Sequence, residues 1–326
     1  MIIVPFFDNS ETQSMTIIPP PIDVSDAMMN KKKPRRQVLP DYVRIKKLGN
    51  SMSDTSCIFT AWHTTKSVTE KRETLIWKEL RHQYHPIEMS VHRHLTKYSN
   101  LSVPRAIKTW STISSSGIVM DHIVMDKWDT DMLDFVVGHH GRVSPSKNIT
   151  QTSQWVNWTV FTVLHIARVL IKLNKMGLAH RDVSLENILV NFRKTTHVCL
   201  CDFGLVDKLN NVPNLIKIVG KEAYMAPELR GPSRSFDLSK CDVFSLGVCA
   251  LGMLAGYIPP VNNKSWIKQT QRDSGLRNLV MYMWADGINY PYVTNLLVNM
   301  LCPVNGERIS CEGVLSASIH YQKQVK

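Results

Sequence analysis

Residues 179–190 read Ala179-His180-Arg181-Asp182-Val183-Ser184-Leu185-Glu186-Asn187-Ile188-Leu189-Val190, a polar octet with apolar sequence on either side. Upstream, VFTVLHIARVLIKLNKMG (160–177) places apolar residues at three- and four-residue spacing. That period predicts an amphipathic helix, and Gly177 is a natural stop. Downstream, ILV reads as a short strand, and Val198-Cys199-Leu200-Cys201 as a second one that delivers Asp202-Phe203-Gly204. Taken on the octet alone, two readings stand: an Asp that caps a helix beside a loop Asn, or oxygen and amide groups gathered for chemistry.

Outward from this stretch the chain changes texture. Residues 1–39 read as a tail, with Pro19-Pro20-Pro21, polar spacers and the run Lys31-Lys32-Lys33-Pro34-Arg35-Arg36, and with little periodicity. From about residue 40, short β-like runs follow one another: YVRI, CIFTAW, TLIWKEL, then two more that end at IVMDKW. A helix is expected around Pro86 to Tyr98, and beyond Thr130 helical patterns dominate. Val243 to Val261 contains no charged residue and imitates a membrane span. Its three glycines and terminal Pro259-Pro260 favour a buried core helix followed by a turn, and no transmembrane segment is expected.

The 326 residues carry a formal net charge of +12, unevenly spread. The first thirty hold four acids and no bases, whereas 31–47 hold eight bases against Asp41. A basic collar on a basic body favours acidic partners. The seven cysteines are odd in number and scattered, without CxxC or metal-ligand spacing, which argues against a disulfide framework or a zinc site and for a reducing, intracellular setting. The opening MIIVPFFDNSETQ lacks a basic leader and makes a poor signal peptide. The sequons at Asn148, Asn157 and Asn263 carry little meaning without a secretory route.

The octet resembles the catalytic loop H-R-D-x-x-x-x-N of the eukaryotic-type protein kinase superfamily. Asp202-Phe203-Gly204, fifteen residues past Asn187, resembles its D-F-G, and Tyr224-Met225-Ala226-Pro227-Glu228 its A-P-E. Asp242-Val243-Phe244-Ser245-Leu246-Gly247 is similar to the D-x-x-S-x-G that opens the buried central helix of the large lobe, and Arg308 sits where the family pairs an arginine with the A-P-E glutamate, here Glu228. Leu75-Ile76-Trp77-Lys78 reads like the V-A-I-K strand. The motifs occur in order over residues 41–320. The resemblance implies an α+β bilobal kinase fold, with a small β-rich N-lobe (40–126), a larger α-helical C-lobe (127–320) and ATP with Mg²⁺ between them.

The same resemblance implies the roles of individual residues. Asp182 orients the attacking hydroxyl and accepts its proton, and Asn187 and Asp202 hold Mg²⁺. Lys78 contacts the α- and β-phosphates, with Glu88 as its partner; a solvated first-turn glutamate is the other reading of Glu88. The nucleotide is expected along Gly49, Ser51 and Ile58 and at a hinge formed by Met125, Asp126 and Trp128. A second copy of the hinge pattern, IVMD at 118–121, competes; the seven residues from Asp126 to Leu133 favour the later one. Glu186 and Tyr224 resemble the serine/threonine branch.

Three departures stand out. In Gly49-Asn50-Ser51-Met52-Ser53-Asp54-Thr55-Ser56-Cys57-Ile58 only Gly49 remains of the family's G-x-G-x-x-G. Ser184 takes the site of a lysine that touches the γ-phosphate, and Lys221 that of the threonine which normally bonds that lysine. Either the two exchanged roles, or they are unrelated substitutions with Lys221 in solvent. Finally, Leu205 to Lys221 contains no Ser, Thr or Tyr, so activation-loop phosphorylation has no acceptor, and constitutive activity or control by a partner is implied.

The expected activity is ATP-dependent phosphorylation of Ser/Thr on protein substrates. The alternative is a pseudokinase scaffold, motivated by the eroded glycine loop. A small-molecule phosphotransferase should lack both the A-P-E segment and the D-x-x-S-x-G helix. The run Lys31–Arg36 admits a nuclear localisation signal read by an import receptor, a contact with nucleic acid or anionic lipid, or a solvated tail. Nuclear and/or cytoplasmic location follows from those readings.

Overall fold

In Leu75-Ile76-Trp77-Lys78-Glu79-Leu80-Arg81 successive side chains point to opposite faces of an extended chain. The computed structural model makes this run β3 (Leu75–Arg81), the middle of a five-stranded antiparallel sheet. The strand order is β1 (Tyr42–Asn50), β2 (Ser56–His63), β3, β5 (Val119–Asp126) and β4 (Ala106–Ile113). The structure describes residues 41–50, 55–64, 74–140, 149–192, 197–209, 218–230, 236–258, 275–284 and 289–324. The expected tail 1–39, its Lys31–Arg36 run and Ser51 lie outside the described residues.

Each face of the sheet builds its own apolar cluster. Leu80 packs with Ile123 and Met125, flanked by Ile76 and Ala106. On the other face Leu75 and Trp77 join Tyr42, Ala61 and Val124. The Arg44 guanidinium sits 4.9 Å from the Trp77 ring centre and bonds Glu79 at 2.7 Å, so its charge is met from both sides. Helix α1 (Glu88–Leu95) buries Val91 and Leu95 and sends Met89 into the Leu80 cluster. It is shorter than the span 86–98 read from the sequence.

The second unit is mostly helical: α2 (Met132–His140), α3 (Ile149–Lys175), α4 (Leu238–Ala255), α5 (Gly275–Met283), α6 (Pro291–Met300) and α7 (Cys311–Gln324). It also holds a three-stranded sheet, β6 (Thr130–Asp131), β8 (Ile188–Asn191) and β9 (His197–Leu200), and the pair β7 (Leu178–Ala179) and β10 (Asp207–Lys208). Helix α4 is apolar on every side and almost wholly buried, as such a helix must be in water. Asp237 caps it by accepting the Ser239 N–H at 2.8 Å, and Gly256 ends it with a left-handed φ of +85°. By length and composition α3 and α4 could each cross a membrane, yet most of each is buried inside this unit as core.

The break between the units falls between Lys127 and Trp128, with one exchange that the sequence reading missed. Asn100–Val103 belongs to the helical unit, although it lies within the sequence of the β-rich one. The Leu200 N–H donates to the Ser102 carbonyl at 2.9 Å, and the Ser102 hydroxyl lies 2.8 Å from His165 Nδ1.

The pairing of Arg308 with Glu228 is formed. Two guanidinium nitrogens reach the two carboxylate oxygens at 2.6 and 2.9 Å, and further guanidinium N–H groups bond the Cys302 and Lys240 carbonyls. Arg308 is 2% exposed. Burial pushes the Glu228 carboxyl up, but the bonds and charge of Arg308 prevail and hold it below its ordinary value. Arg308→Met strands the carboxylate, and urea unfolding of the helical unit should show a loss of about 3–5 kcal/mol. Because the folded carboxyl is the stronger acid, the pair's contribution is complete above the ordinary glutamate range and should vanish on acidification through the folded value.

Candidate active site

The turn after α3 is closed by Gly177 at φ +72°, and β7 then carries the chain to His180. Asp242, in the first turns of α4 and 2% exposed, accepts the His180 N–H at 2.6 Å and the Arg181 N–H at 2.8 Å. Those bonds hold Arg181 at φ +69°, a conformation that costs a side-chain-bearing residue about 1–3 kcal/mol. The guanidinium of Arg181 is turned to Asp207 at 2.6 Å. The kink leaves Asp182 held from three directions. Asn187 Nδ2 donates to its carbonyl at 2.8 Å and to Oδ2 at 2.7 Å, and the Lys221 N–H donates to Oδ1 at 3.0 Å.

Burial pushes the Asp182 carboxyl above its ordinary value, against the charge of Lys221 and the bond from Asn187, which pull it down; the charge of Asp202 adds to the rise. A fixed carboxylate of raised basicity suits a proton acceptor. With the Asn187 amide nitrogen committed to Asp182, Asn187 Oδ1 accepts from Lys221 Nζ at 3.4 Å. Asp202 follows β9 as an exposed residue at φ +64°, a second strained position, and its Oδ1 accepts the Gly204 N–H at 3.2 Å. Phe203 beside it is fully buried against the His180 ring. An exposed carboxylate and an amide oxygen are hard donors of the kind Mg²⁺ takes, so Asp202 and Asn187 fit that ion.

Lys78 and Glu88 belong to the β-rich unit and meet there: Nζ lies 2.5 Å from Oε1, both side chains buried. His85 Nδ1 is 3.6 Å from the other carboxylate oxygen. Across the sheet Ile58 pairs with Lys78, and Gly49 with Ile58. Met125, opposite Ile76, is buried, and Asp126 takes bonds from Arg105 at 3.2 and 3.3 Å. Trp128 is half-buried and opens the helical unit. Both hinge candidates lie on β5, Met120-Asp121 near its start and Met125-Asp126 at its end.

Two participants escaped the sequence reading. Asp207 is the partner of Arg181, and its signal was the lack of any phosphate acceptor between Leu205 and Lys221. Gly220 has φ +101°, and a Cβ there would fall 2.4 Å from the Arg181 carbonyl oxygen. Only glycine lets the backbone come close enough for the Lys221 N–H to reach Asp182. The cue was a glycine directly before Lys221.

The profile of the protein kinase domain matches residues 42–319. The chain belongs to the protein kinase domain family. Its fold is the kinase fold, a β-sheet region followed by a helical one. It is 32% identical over 146 residues to the serine/threonine-protein kinase KIN4 of Saccharomyces cerevisiae, covering 42% of this chain and 17% of that protein. It is 41% identical over 113 residues to the MAP kinase-interacting serine/threonine-protein kinase 1 of Xenopus tropicalis, covering 31% and 27%. A probable serine/threonine-protein kinase, pknA2 of Bifidobacterium longum, is 31% identical over 152 residues, covering 45% and 20%. The matches thus span less than a third of each relative's length.

The close approach at Gly220 can be measured against Gly117, which has φ +78° but no atom within 4 Å of where a Cβ would stand. Gly117→Ala meets only the left-handed backbone cost, about 1–2 kcal/mol. Gly220→Ala adds the clash and should lower the urea midpoint of its own unit by clearly more. Equal losses would show that the backbone at Gly220 is not closely approached.

Proposed function

We propose that this kinase transfers the γ-phosphoryl of Mg-ATP to serine or threonine hydroxyls of protein substrates. The observation that carries this reading is Asp182: a half-buried carboxylate of raised basicity, fixed by Asn187 and by the Lys221 N–H. Its carboxylate takes the proton of the substrate hydroxyl while the new oxygen–phosphorus bond forms. The bond from that phosphorus to the β–γ bridging oxygen breaks, and its electron pair leaves on ADP. Lys78, held by Glu88, is assigned to the α- and β-phosphates. Gly49, Ser51, Ile58, Met125, Asp126 and Trp128 are assigned to the nucleotide. Asn187 and Asp202 would hold Mg²⁺, which supplies charge neutralisation on the phosphates.

Serine/threonine specificity is supported by Glu186 and Tyr224, which meet through a 2.7 Å bond from the Tyr224 hydroxyl to Glu186 Oε2, and by the named activity of the relatives. We assign the catalytic domain to residues 40–320 and the preceding 39 to a tail. Arg181, paired with Asp207, supports activity without a phosphate in the segment that follows. One observation favours a scaffold instead: a single glycine survives in the sequence 49–58.

Transfer from labelled ATP to a generic protein substrate decides between them. The wild-type protein should yield phosphoserine or phosphothreonine. Asp182→Asn should lower kcat by about two to four decades with unchanged Mg-ATP affinity. Asp202→Asn should abolish the Mg²⁺ dependence of nucleotide binding. Near wild-type turnover in either variant overturns its assigned role; a wild-type protein without turnover leaves the scaffold.

A further inference from the structure

Lys221 enters the loop twice. Its N–H bonds Asp182, and its side chain returns to the same place: Nζ lies 2.8 Å from Ser184 Oγ, 3.4 Å from Asn187 Oδ1, 3.7 Å from Glu186 Oε1 and 3.9 Å from Asp182 Oδ2. Ser184 is fully buried, whereas the Lys221 side chain is 37% exposed, so the ammonium is seated at one end and open at the other. A lysine placed to neutralise Glu186 would approach that carboxylate most closely. Here the shortest bond goes to a neutral hydroxyl, and Glu186 Oε2 is already taken by Tyr224. Arg181, the other cation of the loop, is committed to Asp207.

Resting on the phosphotransfer reading, we propose that Lys221 is a catalytic residue: its ammonium, seated on Ser184 and brought in by the backbone approach at Gly220, contacts the transferred phosphoryl group. Ser184 is its positioning residue. A hydroxyl that donates to Asp182 sits about 2.6–3.2 Å from the carboxylate. The phosphorus it attacks lies about 3–3.5 Å further. Both distances allow the phosphoryl oxygens to come within reach of an ammonium 3.9 Å from Asp182 Oδ2. Charge spreads over those oxygens during transfer, and a cation already in place meets it without reorganisation. The arrangement also explains why Ser184 is small: a lysine there would put a second ammonium where Lys221 Nζ already lies.

The test is a four-protein cycle on one substrate, with kcat and KM for wild type, Lys221→Thr, Ser184→Lys and the double variant. Lys221→Thr should lower kcat by about a hundred- to a thousandfold with little change in KM. Ser184→Lys should also be slow. The double variant, with one ammonium restored, should recover to within about tenfold of wild type, a non-additivity reserved for residues in contact. Independently of turnover, an amine-acetylating reagent on the wild-type protein should label Lys221 more slowly under Mg-AMP-PNP than under Mg-ADP, since only the former carries a γ-phosphoryl. Additive defects, or equal protection by the two nucleotides, overturn the role of Lys221 while leaving phosphotransfer intact. Absence of wild-type turnover instead overturns the reading on which it rests.

Discussion

A single buried carboxylate fixes the geometry of the loop His180–Asn187. Asp242 accepts the N–H groups of His180 and Arg181 at 2.6 and 2.8 Å, and between them the chain adopts the strained φ at Arg181 that turns Asp182 outward. Hydrogen bonds to a charged group contribute about 1.5–3 kcal/mol each. The strain costs about 1–3 kcal/mol. Two such bonds oppose the strain they impose. Burial pushes the Asp242 carboxyl up to about 7, against the downward pull of those donors. The apolar stretch of α4 that begins at Val243 keeps this group inside the fold.

Downstream of that anchor, charge is arranged in nested pairs. Arg308 with Glu228 ties the end of the A-P-E segment beneath α4, and Arg181 with Asp207 ties the start of the segment that follows the D-F-G. Between these fixed ends Gly220 and Lys221 come back onto Asp182. The carboxylate that meets Arg181 is thus built into the chain, at Asp207. In the β-rich unit Lys78 and Glu88 form a buried pair.

The sequence was most legible where function depends on neighbours in the chain. His180 to Asn187 and Asp202 to Gly204 carry their chemistry over a few residues, and the strands around Lys78 announce themselves by alternation. Helix α4 imitated a membrane span in composition, its glycines and Pro259-Pro260 favoured a core helix, and most of it is buried inside its unit. Pairings across long separations left almost no local trace. Asp207 looks like any loop acid until the fold puts it 2.6 Å from Arg181, and Asn100–Val103 joins the helical unit through bonds to Leu200 and His165 that no periodicity records. The exchange between Ser184 and Lys221 stood between two readings in sequence, and the 2.8 Å contact brings the two residues together.

A residue outside the cluster around Asp182 thus sets the geometry within it, and Asp242→Asn tests that most directly. The amide keeps the volume but loses the charge and turns an N–H₂ toward one of the two backbone donors. With kcat and Mg-ATP affinity measured on the same folded preparation, kcat should fall by about tenfold or more, the equivalent of roughly 1.4 kcal/mol of lost positioning, while nucleotide affinity holds. A variant with wild-type kcat and only a lowered unfolding midpoint would show that Asp242 supports the fold without setting the loop, and would contradict the account.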